Sequence, residues 1–193
     1  RGFKLRIYDP ALNLAAMTKI RYIFLSHAHL DHIYGLPFMA ENLFGKIVDP
    51  VVIVSTEPIL STLQRCLFNN QLWPDFTKIP NPENPILRYE PIEIGRPVTR
   101  EGLTVTAVAV NHTVPAVGFL VESESSAFVY SGDTYQTEEI WDRASRLPSL
   151  TAAFVEMTFP NRFTELAEVS KHLTPELTYR EFLKIRKKEI LLY

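Results

Sequence analysis

Cysteine is almost absent: Cys66 is the only one in 193 residues. No disulfide can form within the chain, and zinc motifs built on cysteine pairs are excluded. The scarcity fits a reducing, cytoplasmic compartment. The chain opens Arg1-Gly2-Phe3-Lys4 with no initiator Met, so export stays open. Charge of one sign is scarce as well. The 20 Lys and Arg oppose 22 Asp and Glu, a formal net charge of -2. That balance supplies no global attraction to nucleic acid or to an anionic membrane. No apolar stretch approaches the roughly 18 residues of a membrane span. Internal repeats and low-complexity tracts are missing too.

What is present is ordinary globular composition, 46% hydrophobic and 22% charged, which excludes wholesale disorder. At roughly 150 residues per domain, residues 1–193 read as a single domain able to bury its own core. Apolar runs predict strands over 20–26, 51–55, 117–121, 127–131 and 152–156. Alternation over 103–110 predicts another. Helices are predicted over 33–44, where Leu36, Met39, Ala40 and Leu43 form one stripe, and over 57–68 and 138–147. Thr174-Pro175 reads as an N-cap followed by proline at the first helical position, opening a helix that runs to about 188. The final strand, Ile190-Leu191-Leu192-Tyr193, stops with no turn residue after it, so terminal segments are expected to be missing. Prolines at 74, 80, 82, 85, 91 and 97 predict an irregular insertion at about 69–97. Strands in mid-chain flanked by helices predict a helix-covered mixed sheet, an α/β (α+β) fold.

Three of the five histidines fall within six residues, His27-Ala28-His29-Leu30-Asp31-His32, directly after the strand 20–26. The end of a buried strand is where a rigid scaffold presents side chains to a cleft. Imidazole and carboxylate are ligands that a borderline cation such as Zn²⁺ accepts. In extended chain, residues two apart point the same way, so His27 and His29 can grip one ion. Asp31 and His32 follow as the chain turns into the helix and can face a second ion.

This motif resembles the signature of the metallo-β-lactamase fold superfamily. The resemblance implies a four-layer αββα sandwich with two metal ions at one edge, Zn or else Mn or Fe. It implies His112, after the strand 103–110, as a further ligand of the first metal beside His27 and His29. It implies Asp133, in Ser131-Gly132-Asp133-Thr134, as a bridge to a second metal held with Asp31 and His32. A last histidine is expected just past Tyr193. Asp9-Pro10 departs from the Asp-Ala-Gly type of turn usual before the first motif.

Within the superfamily, several segments resemble the class II cyclic-nucleotide phosphodiesterases. They are His29 to Ile33 with Gly35-Leu36, Asn69 to Pro74, His112-Thr113-Val114-Pro115, Ser131 to Thr134, Glu156-Met157-Thr158-Phe159-Pro160-Asn161, and Ser170 to Pro175. The resemblance implies hydrolysis of 3′,5′-cyclic nucleotides (cAMP or cGMP) to 5′-nucleotides by a metal-bridging hydroxide that Asp31 helps to aim. His172 is then an acid facing the scissile phosphate, not a ligand, and Glu156 orients it. Thr113 and Asn161 are candidates for substrate contacts. Trp73 and Phe76 either stack on a purine or pack in the domain's own core. The expected partner is a small cyclic nucleotide, without nucleic acid or membrane, and a homodimer is an open option.

Rivals remain. A tRNA 3′-processing endonuclease shares the metals, but needs a basic surface for RNA. The only basic run here, 184–188, shares its predicted helix with glutamates and reads as a solvated face. An arylsulfatase has related motifs. A thioester hydrolase of the glyoxalase II type would share the ligands without the His172 segment. From another class, a degenerate nucleotide-binding or scaffold module stays in view.

Overall fold

Residues 13–187 and 189–193 are described by a computed structural model, and they divide at Ile92 and Glu93 into two units. The Asp9-Pro10 departure lies outside the described residues.

The first unit opens with a single helical turn, α1 (Leu14–Met17), capped by the Asn13 side chain. Strand β1 (Tyr22–Phe24) follows, then α2 (Leu30–Ile33) and α3 (Gly35–Leu43). The predicted helix over 33–44 thus starts three residues early and is broken at Tyr34. Pro37 explains the break: it has no N–H, and its ring opposes the carbonyl four residues back. Strand β2 (Val51–Ser55) and helix α4 (Glu57–Cys66), with Pro58 in its first turn, match the sequence reading closely. Strand β3 (Leu87–Pro91) corrects it. This segment of the proline-rich stretch is no irregular insertion but pairs in parallel with β2 from Val51↔Leu87 to Ser55↔Pro91. It is an edge strand of a three-stranded sheet ordered β1-β2-β3, and proline is tolerated at such an edge. Val51, Ile53 and Val54 of β2 and Ile59, Leu60 and Leu63 of α4 are buried. Asp75 is buried as well, accepting from the Thr77 N–H (3.1 Å) and hydroxyl (2.5 Å) and pairing with Lys78 at 3.1 Å.

The second unit is a six-stranded sheet ordered β4 to β9. Its strands are β4 (Pro97–Arg100), β5 (Leu103–Ala109), β6 (Val117–Glu122), β7 (Ala127–Tyr130), β8 (Leu150–Phe154) and β9 (Leu191–Leu192). The sequence reading missed β4, a short exposed edge. Helix α5 (Glu139–Ser145) lies between β7 and β8. After β8 come a 3₁₀ turn (Asn161–Phe163), α6 (Thr164–Ser170) and α7 (Pro175–Phe182). Thr174 caps α7 as expected, accepting from the Leu177 N–H. The helix ends at Phe182, not near 188, and Lys188 is outside the described residues.

One face of this sheet is apolar through alternation: Val108, Leu120, Val129 and Ala153 pack against Ile140, Trp141 and Ala144 of α5. Gly118 permits the approach. A Cβ there would lie 2.3 Å from Ile140 Cδ1 and 2.7 Å from the Tyr130 carbonyl oxygen. Beneath α5, the fully buried Glu181 accepts from the Trp141 indole (2.7 Å) and the Thr137 N–H (3.0 Å) and pairs with Lys184 (2.6 Å). Arg186 reaches Asp142 at 2.8 Å. Lys184 and Arg186 of the basic run are therefore paired with acids, while the Arg186 side chain remains largely exposed. Among the described residues, no helix is long and apolar enough to cross a membrane.

Candidate active site

Strand direction places the functional residues. In the second unit β5 and β6 are antiparallel, β6 and β7 are antiparallel, and β7 and β8 are parallel. So β5, β7 and β8 all run the same way. His112 follows β5, Asp133 follows β7 and Glu156 follows β8, which brings three residues spread over 45 positions to one sheet edge. Sites in α/β sheets form where strands end in this way.

Around that edge His112, Asp133 and His172 gather, with one potential ligand atom of each within 4.8 Å of the others. The His112 and His172 rings meet edge to face with centroids 5.1 Å apart. His172 Nδ1 lies 2.9 Å from Glu156 Oε1 and 4.0 Å from Asp133 Oδ2. His112 Nδ1 faces the Lys171 carbonyl at 3.1 Å. A carbonyl only accepts, so Nδ1 carries the hydrogen and Nε2 is the ring nitrogen able to ligate an ion. Lys171 sits in the left-handed region (φ 58°) at the end of α6. Gly132, also at positive φ (61°), turns the chain between Ser131 and Asp133.

The Glu156 carboxylate is buried and fully engaged. Oε1 accepts the Thr134 N–H at 2.8 Å, and Oε2 accepts the Leu173 N–H at 3.0 Å and the Thr158 hydroxyl at 2.8 Å. Thr134 in turn accepts the Asn111 N–H at 3.1 Å. One carboxylate therefore ties together the loops of His112, Asp133 and His172. Burial, followed by the charges of Asp133 and Glu156, pushes the Tyr130 phenol up to about 12, so Tyr130 stays neutral beside them.

In the first unit the candidate ligands come from one short segment, the end of the loop after β1 and the helix α2. His27 is fully buried, and its Nδ1 lies 3.1 Å from the Ser26 hydroxyl. Its ring centroid is 4.8 Å from that of His29 and 4.1 Å from that of His32. His29 is the N-cap of α2, Asp31 lies in its first turn and His32 in its last. Asp31 is largely exposed and 3.6 Å from His32 Nε2. The Ser55 hydroxyl holds the Leu25 carbonyl at 2.6 Å, so β2 steadies the strand end that launches the loop.

Three sequence candidates, Asn161, Phe76 and Trp73, find structural uses. Asn161 Oδ1 accepts the Glu176 N–H at 3.0 Å and so helps cap α7, while Thr113 is exposed. Phe76 is buried, with its ring 6.5 Å from that of Phe68, and Trp73 packs edge to face with Phe38 at 5.4 Å. Residues the sequence reading passed over are Thr134, Thr158 and the Lys171 carbonyl. Thr158 had one signal: in extended chain it shares a side with Glu156, two residues earlier.

Neutral imidazoles with a carboxylate, and no thiolate, fit a divalent ion of the Zn, Mn or Fe kind. The class so defined is the metallohydrolases of the metallo-β-lactamase fold. The family model for the Beta-lactamase superfamily domain matches residues 1–193, and the chain belongs to that family. It is 24% identical over 183 residues to a probable 3′,5′-cyclic-nucleotide phosphodiesterase of Yersinia pestis, covering 86% of this chain and 51% of that one. It is 32% identical over 117 residues to ribonuclease Z of Staphylococcus carnosus, covering 58% of this chain and 34% of the relative. The chain thus spans between about a third and about half of these relatives' length. In structure it resembles unliganded yeast PDE1, with a TM-score of 0.82 over 93% of this chain and 57% of that one, at 19% identity. That likeness speaks for the fold.

Proposed function

We propose that the protein hydrolyses phosphodiesters and that its substrates are 3′,5′-cyclic nucleotides. The observation that carries this reading is the Glu156–His172 pair, 2.9 Å apart and beside Asp133 and His112. A phosphodiester with an alkoxide leaving group needs a proton donor, and a histidine held by a carboxylate is one. By the motif order His27, His29 and His112 would hold one ion, Asp31 and His32 a second, and Asp133 would serve both. Two divalent ions, when bound, polarise the phosphoryl oxygens and lower the pKa of water from about 15.7 toward about 7.

The chain's own groups do the rest. Asp31 accepts a hydrogen bond from the attacking water and aims it. The water gives up one proton to solvent as it attacks, forming a new P–O bond and breaking the bond from phosphorus to the 3′ oxygen. Protonated His172 hands that oxygen its proton, and the product is a 5′-nucleotide. Glu156 stabilises the imidazolium before the transfer.

Two features favour a small substrate over RNA. The net charge is -2, and Lys184 and Arg186 are engaged by Glu181 and Asp142. The Yersinia relative named for cyclic nucleotides also aligns with more of this chain than the ribonuclease Z relative does. The test is hydrolysis of cAMP by the full-length, metal-loaded protein, with a chelator control and a precursor-tRNA arm. Chelator-sensitive release of 5′-AMP is expected. Intact cAMP alongside tRNA 3′ cleavage would replace this reading with the nuclease.

A further inference from the structure

Thr158 is placed to decide which nitrogen His172 offers. Its Oγ1 lies 2.8 Å from Glu156 Oε2 and 3.2 Å from His172 Nδ1. The same Nδ1 lies 2.9 Å from Glu156 Oε1. A carboxylate only accepts, and a hydroxyl has a single hydrogen. The Thr158 hydrogen therefore goes to Oε2, and an oxygen lone pair is left facing the histidine. Both neighbours of Nδ1 are then acceptors, so Nδ1 carries a hydrogen shared between them. The other ring nitrogen, Nε2, is the one presented outward.

We propose that Thr158 is a positioning residue, whose hydroxyl acts with Glu156 to hold His172 in the Nδ1–H form and to stop its ring from swinging. With one hydrogen bond, to Glu156 alone, the tilt of the imidazole about that bond is limited only by its edge-to-face contacts with His112 (5.1 Å) and Phe159 (5.8 Å). Two acceptors on adjacent sides of the nitrogen fix the ring plane. The arrangement is also economical to build. Glu156 and Thr158 are two residues apart after β8, and the Leu173 N–H on Oε2 (3.0 Å) anchors the carboxylate to the turn that carries His172. Thr158 is exposed, so replacing it leaves the core untouched. Water can reach the vacated position, but it is not tied to the strand end as the threonine is.

The kinetic part of the test rests on the phosphodiesterase reading, and the spectroscopic part does not. Thr158→Val removes the hydroxyl at nearly constant shape, and Thr158→Ser keeps it. In the zinc-loaded, full-length protein, long-range ¹⁵N–¹H NMR should show His172 with hydrogen on Nδ1 in the wild type and in Thr158→Ser. In Thr158→Val the same signals should exchange between orientations. With an alkyl phosphodiester, kcat should fall about tenfold in Thr158→Val, a fraction of what a general acid contributes, with KM unchanged. With a p-nitrophenyl phosphodiester, whose leaving group needs no acid, kcat should hold. Thr158→Ser should restore both. A wild-type His172 with hydrogen on Nε2 overturns the proposal. So does a Thr158→Val rate that is unchanged, or lowered equally for both substrates, and so does a serine variant that fails to rescue. If the wild type cleaves neither ester, the function reading fails, and the NMR result alone decides the role of Thr158.

Discussion

The two units supply their chemistry in opposite ways. Residues 13–92 draw four candidate groups from six consecutive positions at a loop end and the helix it opens, steadied locally by Ser26 and by the Ser55 bond to Leu25. Residues 93–193 draw theirs from four separate loops, bound together by the single Glu156 carboxylate. The first arrangement depends on local backbone. The second depends on the register of β5, β7 and β8 and on where α6 ends. A contiguous set survives distant disturbance of packing, whereas a dispersed set does not.

The largest expected effect comes from removing Asp133, the proposed bridge. Asp133→Ala should strip metal from both sites, with a loss of affinity greater than the roughly 100-fold of an outer-shell change. Elemental analysis that still finds two ions per chain would rule the bridge out. His172→Ala comes next. It should slow turnover of alkyl phosphodiesters by about 10²- to 10⁴-fold while retaining metal, with activated esters largely spared. An unaltered kcat would end its role as an acid.

The third test breaks the comparison directly. Gly118→Ala drives a methyl group into Ile140 and the Tyr130 carbonyl, and overpacking of this kind costs about 1–3 kcal/mol. Because β6 pairs with β5 and β7, the strands that lead to His112 and Asp133, metal affinity should drop as well, although Gly118 is no ligand. Phe68→Ala in the other unit removes a fully buried ring at a cost of about 3–5 kcal/mol. Below its lowered melting temperature it should bind metal with the wild-type affinity. Equal loss of affinity in both variants would erase the distinction between the contiguous and the dispersed ligand set.

The smallest effect is one of pH and belongs to the first unit. Burial pushes the Asp75 carboxyl up, but bonds from Thr77 and Lys78 outweigh it and hold the group below its ordinary 3.8. A depressed carboxyl stabilises the fold above its unfolded value, and the gain is lost as pH falls toward the folded one. Asp75→Asn should therefore be less stable at neutral pH by about 1–3 kcal/mol. From about pH 5 to about pH 3 its melting temperature should fall less steeply than that of the wild type. Parallel acid slopes would show that Asp75 does not titrate in this window.

The legibility of the chain follows the same division. The His27–His32 cluster was readable because its members are neighbours in sequence and follow an apolar run. Strand β2 and helix α4 were readable because their patterning is local. Strand β3 was hidden by the prolines around it, since a single sequence does not say that Pro91 sits at an edge, opposite Ser55, where its missing N–H costs nothing. The end of α7 was overrun because Lys184 and Arg186 read as surface helix, whereas their partners Glu138 and Asp142 lie more than 40 residues away.

By itself the sequence determined the donor types, the order of the motifs and the absence of thiolate ligands, because these are properties of residue identity and spacing. It also pointed to Glu156 and His172, though only through resemblance. The tertiary structure decided that the two are 2.9 Å apart, that Thr158 completes the pair, and that the Lys171 carbonyl sets the face of His112. Such contacts join positions 14 to 59 residues apart. They form only once the parallel strands lie in register and a left-handed turn closes α6, and no local pattern encodes that.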